Sequence, residues 1–295
     1  MKLRRTMMFV PGNNPGMVQN AGIYGADTLI FDLEDSVAIT EKDAARNLVE
    51  SAIQSIQYPC EIAVRINHIS TPFGHADLAS VLSVKPDLIR LPKAETAAEI
   101  QEIDAMITEA ERKYGFPAGS IRMMAAIETA KGLMNAYQIA SASPRMVAIA
   151  IGGEDFIADL KTSRSKDGRE LFAARGQLVL AARAAGINAI DTVFSDVNDE
   201  ETFINEVKLI KQMGFDGKSV VNPRQIKLVH QVFSPTDKEI EKAEAIVAAY
   251  QEALARNSGV ISLNGKMIDL PVVARAERVL SYAQATGYKS GEAVQ

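Results

Sequence analysis

The segment MVAIAIGGED, residues 146–155, packs six apolar residues, two glycines and then Glu154 and Asp155. An apolar run of that length reads as a strand buried on both faces, and charges are costly in such a core. The same pattern recurs along the chain. FDLED (31–35) ends in Glu34 and Asp35, AVRIN (63–67) carries Arg65, LIRLPK (88–93) ends in Lys93, and MMAAIET (123–129) carries Glu128. Charges placed repeatedly at the exit of apolar runs have a cause in a barrel of parallel strands, which gathers all its carboxyl ends around one mouth.

Working outward, strand-like and helix-like segments alternate over about the first 230 residues. Strands are expected at 6–10, 28–33, 61–66, 87–91, 121–127, 146–151, 189–192 and 217–221. PGNNPG (11–16) is expected to turn the chain into a helix over 17–24, and Thr40 to cap one that runs to 56. Further helices are expected over 75–82, 97–114, 132–140, 169–185 (after a charged loop) and 200–213, with another after NPRQI (222–226). Eight βα units match a closed (β/α)₈ TIM barrel, an α/β fold. An open doubly wound sheet is the rival. It is disfavoured because no glycine-rich dinucleotide fingerprint follows the first strand, and the charges are spread over most strand ends.

The pattern changes after Ser234, so residues 1–234 are read as the barrel and 235–295 as a C-terminal appendage. A helix over 237–256, a hairpin turning at Asn264-Gly265 and a helix over 274–285 are expected there. No Pro/Gly/Ser linker marks the appendage as independent.

Composition narrows the function. With 295 residues and 47% apolar content the chain can build a sizeable core. A net charge of −5 argues against a general nucleic-acid binder, although local Arg and Lys clusters can still hold a small anion. Cys60 is the sole cysteine, which rules out an internal disulfide, fits a reducing compartment and reads as a packing residue. The apolar run after MKLRR is too short for a signal peptide, and nothing approaches a bilayer span. A soluble, cytoplasmic protein is expected.

Glu128 and Asp155 follow neighbouring strands, and two carboxylates there repel unless a cation lies between them. Few protein ligands plus open positions is how Mg²⁺ is usually held. The alternative is salt bridging to nearby Lys or Arg, and that structural role suits Glu34 and Glu154. Arg65 matches a substrate carboxylate in a two-pronged way that lysine cannot. Arg5 precedes the first strand and so points to the opposite rim unless that strand is short; it is either an anion-site candidate or a solvated charge. Lys93 is expected to pair with a carboxylate and orient it. His68, His75 and His230 show no metal-ligand spacing, although His68 and His75 could line the mouth. DGKS (216–219) fails as a phosphate loop, because Gln212 stands where glycine is required. No GxSxG elbow is present.

RRTMMFVPGNNPGM, FDLEDSV, AVRIN, LIRLPKAE, AAIET, AIGGEDF, GKSVVNPRQI and NGKMIDLPVV occur in this order along the chain. Together they resemble the HpcH/HpaI aldolase and malyl-CoA lyase family of Mg²⁺-dependent barrel enzymes, in particular its citrate lyase β-subunit branch. The resemblance implies cleavage of a citryl thioester, on an acyl-carrier protein or on CoA, to oxaloacetate and an acetyl thioester. It implies Mg²⁺ as cofactor, with Glu128 and Asp155 as its ligands and Arg65 on the substrate carboxylate. Asp269 would be an aspartate inserted into a neighbouring protomer's mouth, which implies a trimer or hexamer with the appendage packing on that neighbour. Glu34 joins Arg65 and Asp269 as catalytic, and Arg5, Pro11, Gly12, Lys93 and Asn222 join Arg65 in substrate binding. Asn222 stands where related members carry histidine, which leaves its role open. Acyl-carrier (γ) and transferase (α) subunits are the implied partners, with neither nucleic acid nor membrane. A lyase for malyl-, citramalyl- or methylmalyl-CoA is the alternative, and a non-catalytic scaffold or regulator is the second.

Overall fold

A computed structural model describes residues 2–255, 261–263 and 266–287. Its strands are β1 (Thr6–Pro11), β2 (Thr28–Asp32), β3 (Glu61–Arg65), β4 (Leu88–Leu91), β5 (Arg122–Ile127), β6 (Met146–Ile151), β7 (Asn188–Asp191) and β8 (Gly217–Val220). All pair in parallel, each with the next, and β1 closes on β8 through Met7 opposite Ser219. The expected (β/α)₈ TIM barrel is the observed architecture, with strand ends within a residue or two of those read from the sequence.

Side chains alternate across a strand, so one face of each β-strand fills the barrel. Met7, Ile30, Ala63, Leu88, Met124, Ala148, Ala150 and Ile190 form that interior cluster, fully buried. Two residues further along the same faces come Phe9, Asp32, Arg65, Arg90, Gly152 and Thr192, and four beyond Met124 comes Glu128. The register that fills the interior with apolar groups therefore carries polar ones into the mouth.

Helices alternate with the strands: α1 (Pro15–Asn20), α2 (Lys42–Ser55), α3 (Gly74–Ser83), α4 (Ala97–Tyr114), α5 (Ala130–Met134), α6 (Ala136–Ala140), α7 (Gly153–Asp159), α8 (Phe172–Ala185), α9 (Glu200–Met213) and α10 (Pro223–Phe233). α4 has the expected limits because Thr96 and Glu99 form a capping box and Gly115 ends it in the left-handed region. Some expectations need correction. Thr40 is not a cap, since Ile39–Glu41 forms a 3₁₀ turn and α2 starts at Lys42. The helix expected over 132–140 is divided at Asn135 into α5 and α6. Gly153–Asp159, read as charged loop, is the short helix α7.

Residues 4–230 form one compact unit, and the described residues from Gln231 onward, with Lys2 and Leu3, form another. The second contains α11 (Asp237–Ala255), an antiparallel pair β9 (Ile261–Leu263) and β10 (Lys266–Ile268), and α12 (Leu270–Ala285). The expected turn at Asn264-Gly265 lies outside the described residues. α12 begins four residues earlier than expected because Asp269 caps it and Pro271 occupies its first turn, a position proline tolerates.

Candidate active site

The barrel mouth holds a cavity of about 360 Å³ lined by residues from most of the strand ends, among them Phe9, Asp32, Arg65, Arg90, Glu128, Gly152, Asp155, Thr192 and Ser219. Arg65 is fixed first. Its Nε and Nη2 donate to the two oxygens of Asp32 at 2.6 and 2.7 Å, a bidentate pair. Asp32 also accepts the backbone N–H groups of Glu34 and Ser36. Burial alone would raise the Asp32 carboxyl, but Arg65 and these donors outweigh it and hold it below the ordinary value. Burial would likewise lower Arg65, and Asp32, Glu34 and Asp35 raise it instead.

Glu34 is less completely matched. Its Oε1 accepts from Lys93 Nζ at 2.7 Å. Its Oε2 lies 3.0 Å from Arg65 Nη1, yet this buried oxygen makes no hydrogen bond among the described residues. The contact is thus close in distance but poorly aligned, so Arg65 attracts Oε2 by charge and leaves it open to another donor. Burial, with help from Asp35, raises the Glu34 carboxyl despite the opposing Arg65 and Lys93. Lys93 also lies 3.4 Å from Asp155 and 3.7 Å from Asp35. Its backbone is left-handed, with φ of 49°, the kind of strain that gathers at functional sites.

Glu128 is 3% exposed, and its Oε2 makes no hydrogen bond among the described residues. Burial, then the charge of Glu34 and a hydrogen bond shared with Asp155, push its pKa up to about 8 against the pull of Arg90 and Arg65. Two glycines make the arrangement possible. A Cβ on Gly152 would meet Glu128 Cγ at 2.4 Å, and one on Gly153 would meet Thr192 Oγ1 at 2.6 Å. The following Asp155 stands in the first turn of α7 with its side chain about half exposed. Glu154 pairs instead with Arg164.

The mouth gathers the carboxyl groups of Asp32, Glu34, Asp35, Glu128 and Asp155 around Arg65, Arg90 and Lys93. Among the described residues no group of three or more metal-ligating side chains forms a ready cage. Two carboxylates with open positions, one with an unbonded buried oxygen, suit Mg²⁺, which keeps several waters or substrate oxygens.

The structure brings Arg65, Glu34, Lys93, Glu128 and Asp155 together. Pro11 and Gly12 lie on the rim at the end of β1, where Gly12 N donates to Asp32 O at 2.8 Å and a Cβ would clash with that oxygen at 2.6 Å. Asn222 follows β8 and spends its Oδ1 on the Arg224 N–H within the turn. Arg5 requires correction. It lies at the amino end of β1, bound to Asp27 at 2.8 Å, because a residue before a barrel strand falls on the rim away from the mouth. Asp269 lies in the C-terminal unit, where its carboxylate accepts the Val272 N–H. His68 bonds Ser70 and His230 bonds Thr6, His75 is exposed, and none of the three lines the mouth. Cys60 is half-buried, and burial pushes its thiol up to about 11, in keeping with a packing role.

Sequence reasoning missed Asp32, Arg90, Thr192 and Ser219. Strand register was the available signal, since Asp32 is level with Arg65 and Arg65 with Arg90 across adjacent strands.

Residues 5–223 match the HpcH/HpaI aldolase/citrate lyase family. The chain is 55% identical over 285 residues to the citrate lyase subunit beta of Leuconostoc mesenteroides subsp. cremoris, covering 96% of this chain and 94% of the relative. Among solved structures it resembles CitE of Mycobacterium tuberculosis in complex with magnesium, acetoacetate and coenzyme A. The TM-score is 0.78 at 30% identity, over 96% of this chain and 98% of that one. It also resembles a citrate lyase beta subunit from the same organism complexed with oxaloacetate and magnesium, with TM-score 0.69 and 32% identity over 80% and 100% of the two chains.

Proposed function

Because the chain belongs to the HpcH/HpaI aldolase/citrate lyase family, we propose that its mouth cleaves a citryl thioester to oxaloacetate and an acetyl thioester. The observation that carries the reading is the pair Glu128 and Asp155 in the mouth, the first buried with one oxygen unbonded, beside a clamped arginine. Glu128 and Asp155 would hold Mg²⁺, which would supply Lewis-acid chemistry to the bound substrate.

The chain's own groups do the rest. Arg65, held rigid by Asp32, presents fixed positive charge where oxyanion character grows, and losing such a group typically costs about 3 kcal/mol. Glu34, with a buried oxygen open and its carboxyl raised, is suited to take the hydroxyl proton. The carbon–carbon bond then breaks and its electron pair passes to the thioester as an enolate. A neighbouring protomer's Asp269 would return a proton to the enolate carbon. Lys93 holds Glu34 in place and keeps Asp155 from repelling it.

The same reading places the chain in the cytoplasm as part of a homotrimer or hexamer, with residues 235–295 packing on a neighbour. Acyl-carrier and transferase subunits would be its partners. Among the described residues no helix is long and apolar enough to cross a membrane.

Assay of the purified protein with citryl-CoA and malyl-CoA, with and without Mg²⁺, tests the proposal. Mg²⁺-dependent oxaloacetate release is expected. Exclusive malyl-CoA cleavage would overturn the citrate reading, and turnover of neither would favour a scaffold. Asp269→Asn should slow turnover about a hundredfold without weakening metal binding.

A further inference from the structure

Arg90 is a buried charged residue of the mouth that the chemistry above leaves unused. It is 2% exposed, projects from β4 into the cavity, and is the direct register partner of Arg65 on β3. The two guanidinium groups share the Phe9 ring, at 4.9 Å for Arg65 and 5.1 Å for Arg90 from its centroid. Their surroundings differ sharply. Arg65 is clamped by Asp32, with Glu34 and Asp35 beyond it. Arg90 Nε makes no hydrogen bond among the described residues, and Arg90 Nη1 reaches only the Met124 sulfur at 3.9 Å. No carboxylate among the described residues lies within salt-bridge distance of it.

Two like charges side by side on neighbouring strands, one of them unpaired, destabilise a protein unless an anion joins them. Burial and then Arg65 lower the Arg90 pKa to about 10, and it still carries its charge at neutral pH. Across the cavity, on β8, the buried Ser219 Oγ also makes no hydrogen bond among the described residues. The floor of the mouth thus offers a cation and a hydroxyl to an oxygen-rich anion.

The substrate class says which anion. Resting on the lyase reading, the citryl group carries one carboxylate on its carbinol carbon and another on a methylene arm. Malyl and citramalyl groups carry only the first. We propose that Arg90 binds the methylene-arm carboxylate of the citryl group, and of oxaloacetate, and thereby sets specificity for citryl over malyl and citramalyl thioesters.

Oxaloacetate and pyruvate differ only in that carboxylate, so their affinities isolate the contact. Calorimetric titration of each into wild type and Arg90→Met, both with Mg²⁺, is the test. Arg90→Met should bind oxaloacetate about a hundredfold more weakly while pyruvate affinity changes by less than about threefold. Its catalytic preference, as the ratio of kcat/KM values, should shift toward citramalyl-CoA by about tenfold or more. Its melting temperature should equal or exceed that of wild type, because an unpaired buried charge has gone. If Arg90→Met does not fold, Arg90→Gln serves for the same comparison. Unchanged oxaloacetate affinity, or equal loss for both acids in a folded variant, would overturn the assignment and leave the lyase reading standing. Failure of wild type to bind either acid would overturn the lyase reading, and this one with it.

Discussion

Two clusters of buried charge stand at the strand ends, and they follow opposite rules. Beside β7 and β8, Asp191 and Lys218 sit one residue out of step with the interior faces and point outward, toward α8 and α9. Asp191 accepts from Arg175 at 2.8 and 3.0 Å and from Lys218 at 2.8 Å. Lys218 also donates to Glu206 at 2.6 Å, and Arg175 lies 3.0 Å from Glu206. Arg164 lies 3.6 Å from Glu206 and pairs with Glu154, so three acids meet three bases. Burial would raise the Asp191 and Glu206 carboxyls, yet Lys218 and Arg175 hold them below their ordinary values. In the mouth, Glu128 has the same kind of carboxyl and nearly the same burial, but its pKa moves up to about 8. Balance marks a charge cluster that holds the fold together. A buried carboxyl pushed toward its neutral form with one oxygen unbonded marks a cluster open to a ligand.

The largest expected effect breaks the mouth's side of the comparison. Glu128→Gln should reduce Mg²⁺-dependent cleavage at least a thousandfold while the protein stays as stable as wild type, as read by turnover and thermal melting. Unchanged turnover would refute the metal assignment. Asp191→Ala should do the reverse. It leaves two buried cations to share Glu206 and should cost about 4 kcal/mol in denaturant unfolding, so a loss below 1 kcal/mol would remove the contrast.

Glu111 sharpens it. This buried carboxylate pairs with Arg145 at 2.7 Å and accepts the Ile121 and Gly119 N–H groups. Burial opposes ionisation, but these partners lower its pKa to about 2. A depressed carboxyl stabilises the fold above its unfolded value, near 4.5, and that contribution is lost as pH falls toward 2. Glu111→Gln should therefore cost roughly 3 kcal/mol at pH 7, and the difference from wild type should shrink between pH 4.5 and 2. A deficit independent of pH would show that packing, not charge, holds this pair.

Much of this was legible because strand and helix boundaries obey local rules. Charges after apolar runs pointed to Arg65, Glu128 and Asp155, and α9 spans 200–213 as expected, capped by Asp199 and ended by Gly214. What stayed hidden depends on direction. Arg90 lies inside LIRLPK, where Lys93 at the exit drew the reading, and only its register with Arg65 reveals that it points inward. Arg5 precedes β1, and its place on the opposite rim against Asp27 follows from that order, so keeping it as an anion-site candidate went against the strand's direction. α7 escaped because GGED has no apolar periodicity, and its glycines serve contacts with Glu128 and Thr192 that are remote in sequence.

Manganese titration followed by electron paramagnetic resonance tests the central claim most directly, since it counts bound ions without requiring turnover. Wild type should bind one ion per chain, and Glu128→Gln and Asp155→Asn should each weaken it about a hundredfold or more. Equal binding by all three proteins, or none by wild type, would contradict the account.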